Sequence, residues 1–222
     1  MDTSKYRLQR MENLEGLMLS ERIYNLAIGV TLLAGILVNI LMATYLSDII
    51  MAANYLVMLV VYLVGSFACT FVIYRSKNPA VSFLGFLGLS VSMGLLLTYY
   101  LTWFHLADIQ LAFVMTGIVL GIMVVLATAL PQFFLSIGRS LGVALLVTIV
   151  VEVIASFLFP AALRFADYVV VLIFCGYVGF DWARAQQYPK TLDNAVDSAA
   201  DIYVDIVNLF IRILSILGRR DD

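Results

Sequence analysis

The chain has 222 residues, 63% of them hydrophobic and 13% charged, with a formal net charge of −2. Its mean hydropathy is +1.01, whereas a soluble domain is about half apolar and about a quarter charged. These values exclude a soluble enzyme, and without a basic cluster of five residues nucleic acid has no electrostatic footprint to bind.

Residues 1–22 form a polar N-terminal tail in which Lys5, Arg7, Arg10 and Arg22 stand against Asp2, Glu12, Glu15 and Glu21. The charge-free stretches 23–47, 49–74, 78–104 and 109–138 follow. Each exceeds the about 20 residues that a helix needs to cross a hydrocarbon core. None has the strict alternation of a barrel strand. The first run is too long for a signal-peptide core and has no small-residue cleavage site, so it reads as a retained span.

In chain order the predicted spans are 23–46, 50–74, 80–103, 109–130, 139–159, 165–187 and 194–217. Arg75 and Pro79 close the second, Pro131 the fourth and Pro160 the fifth. Tyr99, Tyr100 and Trp103 give the third an interfacial aromatic end. Gly85, Gly88 and Gly94, and likewise Gly117 and Gly121, suit close helix packing. Connections are short, so residues 23–217 form one transmembrane domain before a C-terminal tail, 218–222. The fold class is all-α: a polytopic bundle of seven transmembrane helices.

With seven spans, Lys5, Arg7, Arg10, Arg22, Arg75, Lys77, Arg139, Arg184 and Lys190 fall on the N-terminal side. Arg164, Arg219 and Arg220 fall opposite. This bias places the N-terminus in the cytoplasm. Arg219 and Arg220 fit a cytoplasmic C-terminus better, which would make the last segment re-entrant or leave six spans.

The last segment differs from the rest. At about 100° per residue, Asp197, Asp201, Asp205, Asn208, Arg212 and Ser215 lie within an arc of roughly 80°. An aspartate at the centre of a span costs about 2.5–3.5 kcal/mol, so this stripe faces a bundle interior or a water-filled cavity. A further acid, Asp181, ends the preceding span, 24 residues before Asp205. If the turn between them is centred near residue 193, both acids lie at the same depth on antiparallel neighbours. Two close carboxylates in little water titrate as a unit, one of them protonated more readily, unless an arginine or a divalent cation such as Ca²⁺ holds both ionised. Asp193 and Asp197 fit the loop end of the hairpin, in the headgroup region. Glu152, inside TIVVEVIAS, reads as a neutral carboxyl bonded between helices or as a further cation or proton site. Arg75 anchors its helix at the interface or serves the acidic pair as a counter-ion. Asp201, Asn208 and Glu152 are candidates for an ion path.

DIYVDIVNLFIRIL (201–214) and GYVGFDWARAQQ (176–187) resemble the last two helices of the Bax inhibitor-1 family, the transmembrane BAX inhibitor motif proteins, and its bacterial members in particular. The resemblance implies a seven-helix bundle with the last helix central, and a pH-sensitive calcium leak. It carries the family's paired aspartates to Asp181 and Asp205, as pH sensor, gate and candidate Ca²⁺ ligands, and its basic partner to Arg75. It implies no cofactor beyond Ca²⁺ as permeant or bound ion. The expected partners are the bilayer, Ca²⁺ and H⁺, in a bacterial cell membrane.

Rival readings are a non-conducting regulator of a membrane protease or survival partner, and a cation/proton antiporter built on the same acids. An intramembrane aspartyl protease is disfavoured. Its Tyr-Asp should precede a Gly-x-Gly-Asp, yet Tyr203-Val204-Asp205 follows Gly179-Phe180-Asp181.

Overall fold

Side-chain caps and prolines cut this apolar chain into helices. A computed structural model describes residues 10–11, 18–158 and 163–218. Most of the polar tail, the closure at Pro160 and the tail beyond Gly218 lie outside the described residues. The helices are α1 (Glu21–Tyr45), α2 (Ser47–Ala52), α3 (Tyr55–Arg75), α4 (Pro79–Leu101), α5 (Leu106–Ala129), α6 (Pro131–Leu158), α7 (Leu163–Ala185) and α8 (Leu192–Leu217).

Two boundaries differ from the sequence reading, each for a local reason. The expected second span, 50–74, is broken. Asn54 Oδ1 accepts from the N–H groups of Leu56 and Val57, at 2.9 and 3.4 Å, and starts α3 afresh. Pro131 does not merely close a helix. It opens α6 directly, because its fixed φ suits the first turn and its missing N–H is an orphan there anyway. The stretch 131–138 is therefore helix rather than connection.

Among the described residues six helices, α1 and α3–α7, are long and apolar enough to cross a membrane. They leave large apolar side chains facing outward, among them Phe67, Leu84, Val125 and Phe157, as lipid contact requires. α8 has 26 residues, enough for about 39 Å of helix, but it carries four aspartates and an arginine. The seventh crossing rests on this helix alone. From Asp193 to Phe210 only Asp201, Val204 and Asn208 are half-exposed, and the rest are buried.

The chain divides into two compact units, Met1–Trp103 with Gln187–Tyr203, and Phe104–Gln186 with Val204–Asp222. In the first, α4 packs against α1, α2 and α3. Small residues allow it. A Cβ at Gly88 would sit 2.7 Å from Cys69 Sγ, and one at Gly94 would sit 2.6 Å from Met42 Sδ. The first half of α8 is tied to this unit by polar bonds: Tyr203 OH donates to Asn39 Oδ1 (2.6 Å), and Asn39 Nδ2 donates to the Ser90 carbonyl (2.9 Å). In the second unit α7 packs against α5 and α6. Gly138 is filled by Phe180 and Gly179 by Phe134. Gly117 and Gly121 do not serve packing as expected; nothing lies within 4 Å of a Cβ at either, and both are exposed.

Candidate functional site: the charged stripe of the last helix

Thr191 starts α8, its Oγ1 accepting from the Asn194 N–H at 3.2 Å. The i,i+4 spacing then stacks Asp193, Asp197, Asp201 and Asp205 along one side. In the first unit, Asp193 and Asp197 lie at the loop end of α8 as expected from sequence, and each is only 2% exposed. Polar partners make that burial tolerable. Ser82 Oγ donates to Asp193 at 2.7 Å, and Arg10 Nε lies 3.6 Å from Asp197. Asp201 accepts from Arg10 Nη1 at 2.9 Å and from the Tyr74 hydroxyl.

In the second unit, Asp181 on α7 is 8% exposed and Asp205 on α8 is 6% exposed. Arg184, one turn after Asp181, reaches back to it at 2.7 Å, and its guanidinium also lies 5.0 Å from the Phe180 ring centre. Tyr177 lies one turn before Asp181 on α7. The link between α7 and α8 is residues 186–191 rather than a turn near 193. At 1.5 Å per residue, Asp181 lies about 6 Å and Asp205 about 20 Å from the helix ends that meet there. The two acids are thus not placed by a symmetric hairpin.

Deeper along the same unit lies an ion cluster. Arg212 donates to Glu152 in a two-pronged pair, Nη1 to Oε1 at 2.6 Å and Nη2 to Oε2 at 3.0 Å. Nη1 also bonds Asp167 at 2.8 Å, and Ser215 Oγ donates to the other Asp167 oxygen at 2.9 Å. Glu152 is thus an ion-pair partner on α6. Asp167, on α7, was not among the sequence candidates. Its signal was an acid among the apolar residues that follow Pro160. Asn208 Nδ2 bonds the Val204 carbonyl of its own helix at 2.8 Å. Arg75 is exposed in the last turn of α3, its guanidinium 5.6 Å from the Phe71 ring centre. The cation found on Asp181 is Arg184.

Among the described residues no three His, Cys, Asp or Glu side chains form a metal cage. Two carboxylates carry four oxygens, fewer than the six to eight that Ca²⁺ takes.

Apolar helices facing outward and acids sheltered along one buried helix define an all-α, multi-pass integral membrane protein. The chain belongs to the Bax inhibitor-1 family: the family model described as inhibitor of apoptosis-promoting Bax1 matches residues 17–222. It is also similar to two uncharacterized proteins of Helicobacter pylori, from strains 26695 and J99, at 33% identity over 109 residues. The match covers 47% of this chain and 45% of each relative, so the chain spans about half the length of the curated relatives it matches.

Proposed function

We propose that the protein is a pH-sensitive, calcium-permeable leak channel of a bacterial cell membrane, with Asp181 and Asp205 as its gate and its N-terminus in the cytoplasm. One observation carries this reading: two buried carboxylates, Asp181 on α7 and Asp205 on α8, stand in long, mostly apolar helices. Carboxylates that interact titrate as a unit, in two separated steps. Ionised, the pair attracts Ca²⁺ or holds a guanidinium. Protonated, it releases both. Arg184 is already in place on Asp181, and Arg75 is the second cation to be tested. Asp201, Asn208 and Glu152 remain the ion-path candidates.

The test is Ca²⁺ entry into proteoliposomes at mildly acidic and mildly alkaline pH. Wild-type flux should exceed that of empty liposomes and differ several-fold between the two conditions. Asp181→Asn with Asp205→Asn should abolish the difference. An unchanged rate and pH profile in that variant would remove the pair from the gate.

A further inference from the structure

The aspartates that begin α8 have a partner from outside the helix bundle. Arg10 precedes the start of α1 by eleven residues in sequence, yet it is only 7% exposed. Both terminal nitrogens of its guanidinium are hydrogen-bonded. Nη1 donates to Asp201 Oδ2 at 2.9 Å, and Nη2 donates to Ser198 Oγ at 2.7 Å and to the Asn194 carbonyl at 3.3 Å. Nε lies 3.6 Å from Asp197 Oδ2, and the Tyr188 ring centre is 4.1 Å away. Asn194 Nδ2 returns a bond to the Arg10 carbonyl at 3.1 Å, so main chain and side chain are both docked.

The recess that receives Arg10 is built for a cation. Its lining atoms are oxygens with one aromatic face. It is assembled from several elements. Tyr24 of α1 bonds Ser198 Oγ at 3.2 Å and the Asn194 carbonyl at 3.4 Å, and Tyr74 of α3 donates to Asp201. Among the described residues, other charged groups nearby are Asp193, one turn before Asp197 on α8, and Lys190, whose ammonium lies 4.6 Å from the Tyr24 ring centre.

We propose that Arg10 is a tethered counter-ion, a plug carried by the N-terminal segment. Docked, it occupies the acidic first half of α8 and closes it to cations. Withdrawn, it leaves Asp197 and Asp201 as a charged entrance. Stripping a buried acid pair of its cation is strongly destabilising, so Arg10 stays docked until another cation takes its place at Asp197 and Asp201. Docking stands independently of the channel reading, whereas its effect on flux rests on that reading.

Trypsin cuts after an arginine only when that side chain is reachable, so cleavage between Arg10 and Met11 of the full-length protein, followed by intact mass, reads docking directly. Asp197→Asn with Asp201→Asn should speed that cut about ten-fold, the factor given by a loss of about 1.4 kcal/mol of docking. Arg10→Lys, which trypsin still recognises but which lacks the planar fork, should fall between. It also serves where the double variant does not fold. Equal cleavage rates in wild type, Arg10→Lys and the aspartate variant would overturn docking. In proteoliposomes, Arg10→Gln should raise Ca²⁺ flux several-fold while keeping the response to pH that Asp181→Asn with Asp205→Asn loses. Unchanged flux in Arg10→Gln, beside a measurable wild-type leak, would overturn the plug and leave an anchor. A wild type with no leak at all would instead count against the channel reading, and the trypsin result would stand.

Discussion

The cluster of Arg212, Glu152 and Asp167 allows a prediction with a magnitude. Arg212 makes three short charged bonds, two to Glu152 and one to Asp167. At about 4 Å between charge centres and an effective permittivity of about 20, each attraction is about 4 kcal/mol, and dehydration of the three groups cancels much of it. Removing only the cation is different, because both acids then lose their partner. Such a loss costs about 3–5 kcal/mol when the pair is fully buried. Arg212 and Glu152 keep 29% and 17% of their side-chain exposure, and Asp167 only 3%, which places Arg212→Met near the lower end, at about 3 kcal/mol. For a chain of this length that lowers the unfolding midpoint by about 6–12 °C. Glu152→Gln and Asp167→Asn each leave Arg212 one acid, and each should cost about 1 kcal/mol. Adding both to Arg212→Met should restore more than half of the loss, since no stranded charge remains. The assay is thermal unfolding in detergent followed by tryptophan fluorescence, read as a mutant cycle. An Arg212→Met protein within about 0.5 kcal/mol of wild type would refute the reasoning, as would a triple variant weaker than the single one.

Gly179 and Gly117 should respond oppositely to alanine. At Gly179 the added methyl meets the Phe134 ring at 2.3 Å, an overpacking worth about 1–3 kcal/mol of destabilisation, whereas Gly117→Ala gains up to about 1 kcal/mol of helix propensity with nothing in its way; thermal midpoints in the reverse order would contradict the packing described. Burial pushes the Lys190 ammonium below its usual range, partly offset by Glu21, so the folded protein loses that proton before the unfolded chain does. The penalty is complete below the folded value and is relieved as pH rises from there towards about 10.5. The stability difference between Lys190→Met and wild type should therefore move in favour of wild type with alkaline pH, and a difference independent of pH would count against the burial.

Much of the architecture was legible because lipid imposes simple rules. Long uncharged runs such as 109–130 must be helix, since hydrocarbon offers their backbone no partner. What failed was local. Pro131 looks the same in sequence whether it ends one helix or begins the next, and only the continuation through 132–138 decides. Asn54 is a modest polar residue in an apolar run, and its capping bonds exist only once the chain has turned. The acidic stripe of α8 was visible from its period of four, but its partners were not. Arg10 lies 187 residues from Asp197, and Glu152 lies 60 from Arg212; pairing over such distances is a product of tertiary packing. The symmetric turn expected near residue 193 failed because Thr191 caps α8 and begins that helix earlier.

The order of charges along α8 follows from its own backbone. The aspartates at 193, 197 and 201 occupy its first half, Asp205 its midpoint and Arg212 its second half, so acids stand toward the positive end of the helix dipole and the cation toward the negative end. The dipole is worth about 0.3–1 kcal/mol per exposed charge and up to about 2 kcal/mol where partly buried, too little to keep such charges out of water. Each half therefore draws its counter-charge from elsewhere in the chain: Arg10 for the acids of the first unit, Glu152 and Asp167 for the arginine of the second. Those two sets are not equivalent. Glu152 and Asp167 sit on α6 and α7, long helices held by packing, and can leave Arg212 only if a helix moves. Arg10 precedes α1 and belongs to none of the spanning helices. Of the charge contacts that make α8 tolerable inside an apolar protein, the one at Asp197 and Asp201 is thus the one whose cation is not carried by α8 or a spanning helix, and Asp201 lies one helical turn from Asp205, the residue proposed for the gate.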